Sequence, residues 1–211
     1  MHVPTDVTAL GDLAAQLNAV PRDPRANWSD IEVVFRHWVA RPDLHESLRT
    51  DLQRLSTSAV ASRSKETTTH FAWCLRDRSE ERFTFWLHEY KPTHEWRPGY
   101  ADSVHNHRYH FCTTLLRGGY LHERHRVTLD PATSLITDSH VERRAMCVEG
   151  DAGALLASDF HRIPSALDGT KTFLVKSRQI TPWSLSFDAT THRGYRHVPV
   201  EARVADLAGG I

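Results

Sequence analysis

Apolar residues recur along the first 60 positions at steps of three and four. Residues 6–20 carry Leu10, Leu13, Leu17 and Val20 on one face, the spacing of an amphipathic helix. Pro21 and Pro24 interrupt it. Ser29-Asp30-Ile31-Glu32 has the form of a capping box, in which serine hydroxyl and glutamate carboxylate satisfy free amides at a helix start. The helix it opens groups Ile31, Val34, Phe35 and Trp38. Pro42 permits a fresh first turn, followed by Leu44, Leu48, Leu52 and Leu55 in register. The Ser/Thr-rich stretch 56–69 predicts a loop.

From about His70 the period falls to two. Phe83, Phe85 and Leu87 alternate with Thr84, Trp86 and His88, as in a strand whose two faces meet different surroundings. Further strands are predicted at 111–116, 120–129, 140–148, 153–157 and 171–181. Gly, Pro and Asp turns separate them, with no helical stretch between, which predicts an antiparallel sandwich or barrel. The last 25 residues, with Pro199 and Gly209-Gly210, show no strong pattern. The reading is therefore mainly β with N-terminal helices: a helical segment, 1–65, packed on a β unit, 66–211.

Composition narrows the function classes. Twenty-six basic residues balance 26 acidic ones in 211, so there is no broad positive field of the kind that nucleic-acid or anionic-membrane binding requires. No apolar run is long enough to cross a bilayer. No basic region followed by an apolar segment marks a secretory signal at the start. Three cysteines, Cys74, Cys112 and Cys147, are too few and too odd in number for a disulfide framework, which predicts a reducing, cytoplasmic setting. The anomaly is 15 histidines. At that abundance a His-x-His pair arises by chance, so only its surroundings give it meaning.

Those surroundings are informative. Gly99 stands six positions before His105; His107 follows, then four residues, Cys112, six residues and Gly119. Farther on, Gly150 lies 11 residues before His161. This pair of segments resembles the two motifs of the cupin superfamily. Cysteine stands at the usual glutamate position, and Leu156 and Ser158 replace the usual proline and glycine of the second motif. The resemblance implies a single cupin-type antiparallel β-barrel (jelly-roll) with His105, His107 and His161 as metal ligands. Residues two apart on a strand share a face, so His105 and His107 can point inward together. Three imidazoles leave positions open for water, substrate or dioxygen, and they suit iron, zinc, copper or nickel. The alternative is a degenerate barrel whose histidines only hydrogen-bond.

Cysteine at that spacing is similar to the thiol dioxygenases of the cysteine dioxygenase type, which also place helices before the barrel and carry a comparable His-Arg-Ile segment, here His161-Arg162-Ile163. The likeness extends over most of the chain, with specificity confined to the two motifs. It implies a mononuclear non-haem iron oxygenase holding Fe(II) (zinc, nickel or copper being the alternatives) and using dioxygen to oxidise a small thiol or amino-acid-like metabolite, with Cys112 beside the metal. The late Ser-x-His-x-Tyr run of the animal enzymes, whose tyrosine crosslinks to that cysteine, is missing: residues 175–182 read Val-Lys-Ser-Arg-Gln-Ile-Thr-Pro. A crosslink here would need Tyr90, Tyr109, Tyr120 or Tyr195. Arg178, near the vacated position, would offer a bidentate fork to a substrate carboxylate or lie exposed. His110 is a substrate-binding candidate or a strand-edge hydrogen-bonding group. His122 and His125 fall on opposite faces of one strand, so both cannot serve one interior site. A redox-inactive zinc or nickel isomerase or lyase and a non-catalytic ligand-binding cupin are the other function classes. The expected partners are a small-molecule substrate and O2, with no nucleic acid and no membrane, in a monomer or homodimer.

Overall fold

The structure is a computed structural model that describes residues 8–21, 23, 24, 26–54 and 60–198. Three helices come first: α1 (Thr8–Asn18), α2 (Trp28–Val39) and α3 (Leu44–Arg54). Each buries the face its spacing predicts, with Leu10, Leu13 and Leu17, then Ile31, Phe35 and Trp38, then Leu44 and Leu48 at most 3% exposed. Position 6, where the first helix was expected to begin, and Leu55 lie outside the described residues. The expected capping box is not used. Asn27 is the N-cap of α2, and Ser29, already inside the helix, donates from Oγ to Asn27 Oδ1 at 2.6 Å. Trp28 is the reason: its buried indole anchors the first turn, two residues earlier than a Ser29 cap would start it.

Two six-stranded sheets follow. The first runs in the order β1 (Lys65–Glu66), β2 (His70–Arg76), β3 (Phe83–Tyr90), β10 (Lys171–Ser177), β5 (Phe111–Arg117), β8 (Ala152–Leu155). The second runs β12 (Arg193–His197), β11 (Ser184–Asp188), β4 (Val104–His105), β9 (Phe160–Ala166), β6 (Gly119–Leu129), β7 (Ile136–Val148). Pairing is antiparallel throughout both. The two ladders stay separate, so the molecule is a β-sandwich of two antiparallel sheets, the double-sheet form of the expected jelly-roll, without ladder closure between the sheets among the described residues. Strand β12 falls in the last 25 residues, where no pattern was visible, and β11 straddles their start; β12 is mostly polar and exposed, so it carries no alternating apolar signal. No helix among the described residues is long and apolar enough to cross a membrane.

The main core lies between the helices and the outer face of the first sheet. Leu13, Phe35 and Trp38 meet Phe83, Phe85, Phe173 and Val175 there, with the Trp38 and Phe173 ring centroids 5.3 Å apart. The helical segment and the sheet therefore share one apolar interior. Thr84, Trp86 and His88 turn the other way, toward the second sheet. The motif glycines serve the connections. A Cβ on Gly119 would sit 2.7 Å from the Cys147 carbonyl oxygen, and Gly150 turns the β7–β8 corner at φ +87°, a region that favours glycine.

A candidate metal centre between the sheets

His105 on β4 and His161 on β9 are a direct cross-strand pair, and paired residues project to the same face. His107, two residues beyond His105, joins them. The three ring centroids are 4.6 to 5.0 Å apart, and one nitrogen from each lies within 4.8 Å of the others. Nε2 of His107 is 2.8 Å from Nε2 of His161. Two nitrogens bound at right angles to one divalent ion, at bond lengths of about 2.1 Å, would be about 3 Å apart, so this pair matches cis ligation.

The donor set fits a metal in its proton arrangement as well. His105 donates from Nδ1 to the Ser103 carbonyl at 2.8 Å, which leaves Nε2 as the lone-pair nitrogen, the usual way a ligating imidazole is oriented. Burial drives all three imidazoles toward the neutral form: His105 falls from an ordinary 6.5 to about 4, and His107 and His161 are held well below it. Neutral imidazole is the form that binds metal.

Around them lies a cavity of about 60 Å³. Its lining also includes His70, His88 and His122, and no described lining residue carries a carboxylate. Phe111, Leu155 and Leu174 make the wall apolar beside the cluster. His122 sets its Nε2 3.2 Å from Nδ1 of His161, while His125 turns outward to Glu123 at 3.3 Å, the split that strand parity predicts. On the opposite wall His70 and His88 stack at 4.3 Å. Lys176 stands behind them, Nζ 3.4 Å from His88 Nε2 and over the rings of Trp86 and Tyr109. With no carboxylate partner among the described residues, so buried a lysine has its pKa lowered to about 7 by desolvation.

Three sequence-predicted residues lie elsewhere. Cys112 points to the helix-facing side of β5, where it is fully buried in the core under α2, and burial pushes its thiol pKa up. The correction follows from strand parity: Phe111 and Thr113 face the cavity, so the residue between them cannot. Tyr90, Tyr109 and Tyr120 line the cavity on the other side of that sheet, out of reach of a crosslink. Arg178 lies beyond the end of β10 and clasps the β2–β3 turn, donating to Asp77 Oδ1 and the Glu81 carbonyl at 2.7 Å each. It offers no fork to the cavity. His110 accepts the Ala157 amide on Nδ1 at 2.8 Å and packs on Trp28, so it is a structural latch.

His70, His88, His122 and Lys176 were not singled out as members of the site from the sequence. The alternation of 84, 86 and 88 was the available signal for His88; the others required the strand pairing.

No protein-family model matches the chain, and no curated protein matches it. Among solved structures, oxalate decarboxylase from Bacillus subtilis aligns over 69% of this chain and 34% of its own, at 16% identity and a TM-score of 0.38. The W96Y variant of that enzyme aligns over 54% of this chain and 26% of its own, at 16% identity and 0.37. KdgF from Halomonas sp. aligns over 55% of this chain and 87% of its own, at 10% identity and 0.38. This chain thus spans about a third or less of the oxalate decarboxylase chains. Its own architecture is two six-stranded antiparallel sheets preceded by three helices.

Proposed function

We propose that the protein is a mononuclear non-haem iron oxygenase of the cupin type, which uses dioxygen to oxidise a small thiol or amino-acid-like metabolite. The observation that carries this reading is the convergence of three imidazoles, two buried and one half-buried, in a cavity whose described lining has no carboxylate. His105, His107 and His161 would hold the metal. Bound there, iron(II) supplies dioxygen activation and open positions for the substrate.

The chain's own groups supply the rest. Ser103 fixes the tautomer of His105, and His122 does the same for His161 by accepting its Nδ1 proton. Phe111, Leu155 and Leu174 keep bulk water from the centre. Neutral ligands leave both positive charges of a divalent ion uncompensated in a low-dielectric space, which favours an anionic substrate. Cys112 has no part in this chemistry.

Metal analysis of freshly purified protein, joined to oxygen uptake over a panel of small thiols and amino acids, tests the reading. Stoichiometric iron with substrate-dependent oxygen consumption supports it. A three-nitrogen donor set also suits zinc, so stoichiometric zinc or nickel without oxygen uptake would replace it by Lewis-acid catalysis in an isomerase or lyase. Absence of any stoichiometric metal would leave a ligand-binding protein.

A further inference from the structure

The histidine cavity, at about 60 Å³, is far below the roughly 300 Å³ at which pockets for small organic ligands begin. An ion and a few waters would fill it, so an organic substrate must reach in from outside. Two grooves flank it. One, of about 560 Å³, shares no lining residue with the cavity, and the Tyr100 ring stands between it and His105, centroids 4.5 Å apart. The other, of about 390 Å³, shares four: Thr113, Tyr120, His122 and Leu155. These four form a common wall between groove and cavity.

The second groove follows the seam between β8 and β7, the end strands of the two sheets, where no backbone ladder joins them. Its charge is unusual. Arg124 and Arg143 are directly opposed on β6 and β7, two positions along from the His122–Ala145 pair and on the same face. Like charges placed so are destabilising unless something compensates them. Arg124 has Asp159 at 3.3 Å and the Ala154 carbonyl at 2.6 Å. Arg143 has no carboxylate oxygen within 4 Å among the described residues, and both arginines line the groove. The acids there are engaged already: Glu32 pairs with Arg36, and Asp151 accepts the Val148 amide.

We propose that this seam groove is the substrate chamber and that it takes a small organic carboxylate. Arg143, with Arg124 beside it, holds the acid end, and the reactive end passes His122 toward the three histidines. The proposal rests on the metal reading above and adds to it the side of approach and the arginines that hold the acid end.

Cobalt(II)-loaded protein tests it through visible absorption, with azide as an anionic probe, imidazole as a neutral one and acetate as a carboxylate competitor. Arg143→Glu should raise the azide Kd and the acetate concentration that displaces azide about ten-fold, or about 1.4 kcal/mol, and leave imidazole binding unchanged. Gly153→Phe, placed where a Cβ meets nothing within 4 Å, should slow binding of both probes at least ten-fold. Ala189→Trp, in the groove behind Tyr100, should alter neither. Azide binding unchanged in both groove variants, or slowed by Ala189→Trp, overturns the route; failure of acetate to displace azide overturns the carboxylate assignment. Should Gly153→Phe misfold, Arg143→Glu at its exposed position decides alone. A missing cobalt spectrum in the unmodified protein removes the metal reading, and the route with it. A full cobalt spectrum with variant-independent azide binding removes the groove alone.

Discussion

Nε2 of His107 faces Nε2 of His161 at 2.8 Å although 54 residues separate them. His161 also offers Nδ1 to His122. If both rings carry their protons on Nδ1, two lone pairs confront each other across the 2.8 Å gap, an arrangement a shared cation relieves. His161→Ala should therefore lower metal affinity about 100-fold or more, given that even outer partners of a ligand are worth 10–100-fold. Metal content after dialysis, with circular dichroism to confirm the fold, checks this. Full occupancy in the variant would remove His161 from the ligand set.

His122→Phe keeps the ring volume and deletes the acceptor for His161. Metal affinity should fall about ten-fold or more, within the range for outer-shell partners. Competition with a chelator of known affinity measures it. His122→Asn, which retains an acceptor, should recover part of the loss; a purely space-filling role would give the opposite order.

Cys112 sits under α2 and should contribute to packing alone. Cys112→Ser places a hydroxyl among apolar neighbours and should cost about 1–3 kcal/mol, seen as a lower urea midpoint, with metal content unchanged. Intact mass should equal that of the uncrosslinked chain. A mass two hydrogens lower, mapping to Cys112 and a tyrosine, would contradict this placement.

Metal-free protein should lose stability in acid. His105 and His122 have folded values lowered by burial from an ordinary 6.5 to about 4. Between those limits the unfolded chain binds protons that the folded one refuses, so stability is full above about pH 6.5 and declines toward pH 4. Each such histidine contributes a slope of about 1.4 kcal/mol per pH unit inside the window. Thermal melts of the apo form across pH 4 to 8 give the slope; a flat profile would mean that these rings are hydrated.

Lys176 is the counterpart on the opposite wall. Its value falls from 10.5 to about 7 through burial, so the wild-type chain loses stability as pH drops from 10.5 through 7. Lys176→Met should raise the melting temperature, by the equivalent of about 1–3 kcal/mol below pH 7 and by less near pH 10. Equal gains at both pH values would show that the amine is solvated.

Much of this protein could be read directly along the chain. Helix faces at Leu10, Leu13 and Leu17, the outward Phe83 and Phe85, and the strands at 111–116 and 120–129 followed from period alone, because burial of one face imposes a period on the residues that supply it. The ligand candidates His105, His107 and His161 came from the likeness of two segments to the cupin motifs, and parity added only that residues 105 and 107 share a face. The same likeness put Cys112 beside the metal, and only the placed strand, with Phe111 and Thr113 toward the cavity, turned it to the helix side.

What only the tertiary structure decided concerns residues brought together by strand order. The pairing of β4 with β9 sets His105 against His161, and that of β6 with β7 sets Arg124 against Arg143. Arg178 and His110 had the right chemistry but were turned elsewhere by the β2–β3 turn and by Trp28. Period is a local property, fixed by which side of one element meets the core. A site is a relation among elements, and the order in which strands join a sheet leaves no periodic mark on the chain.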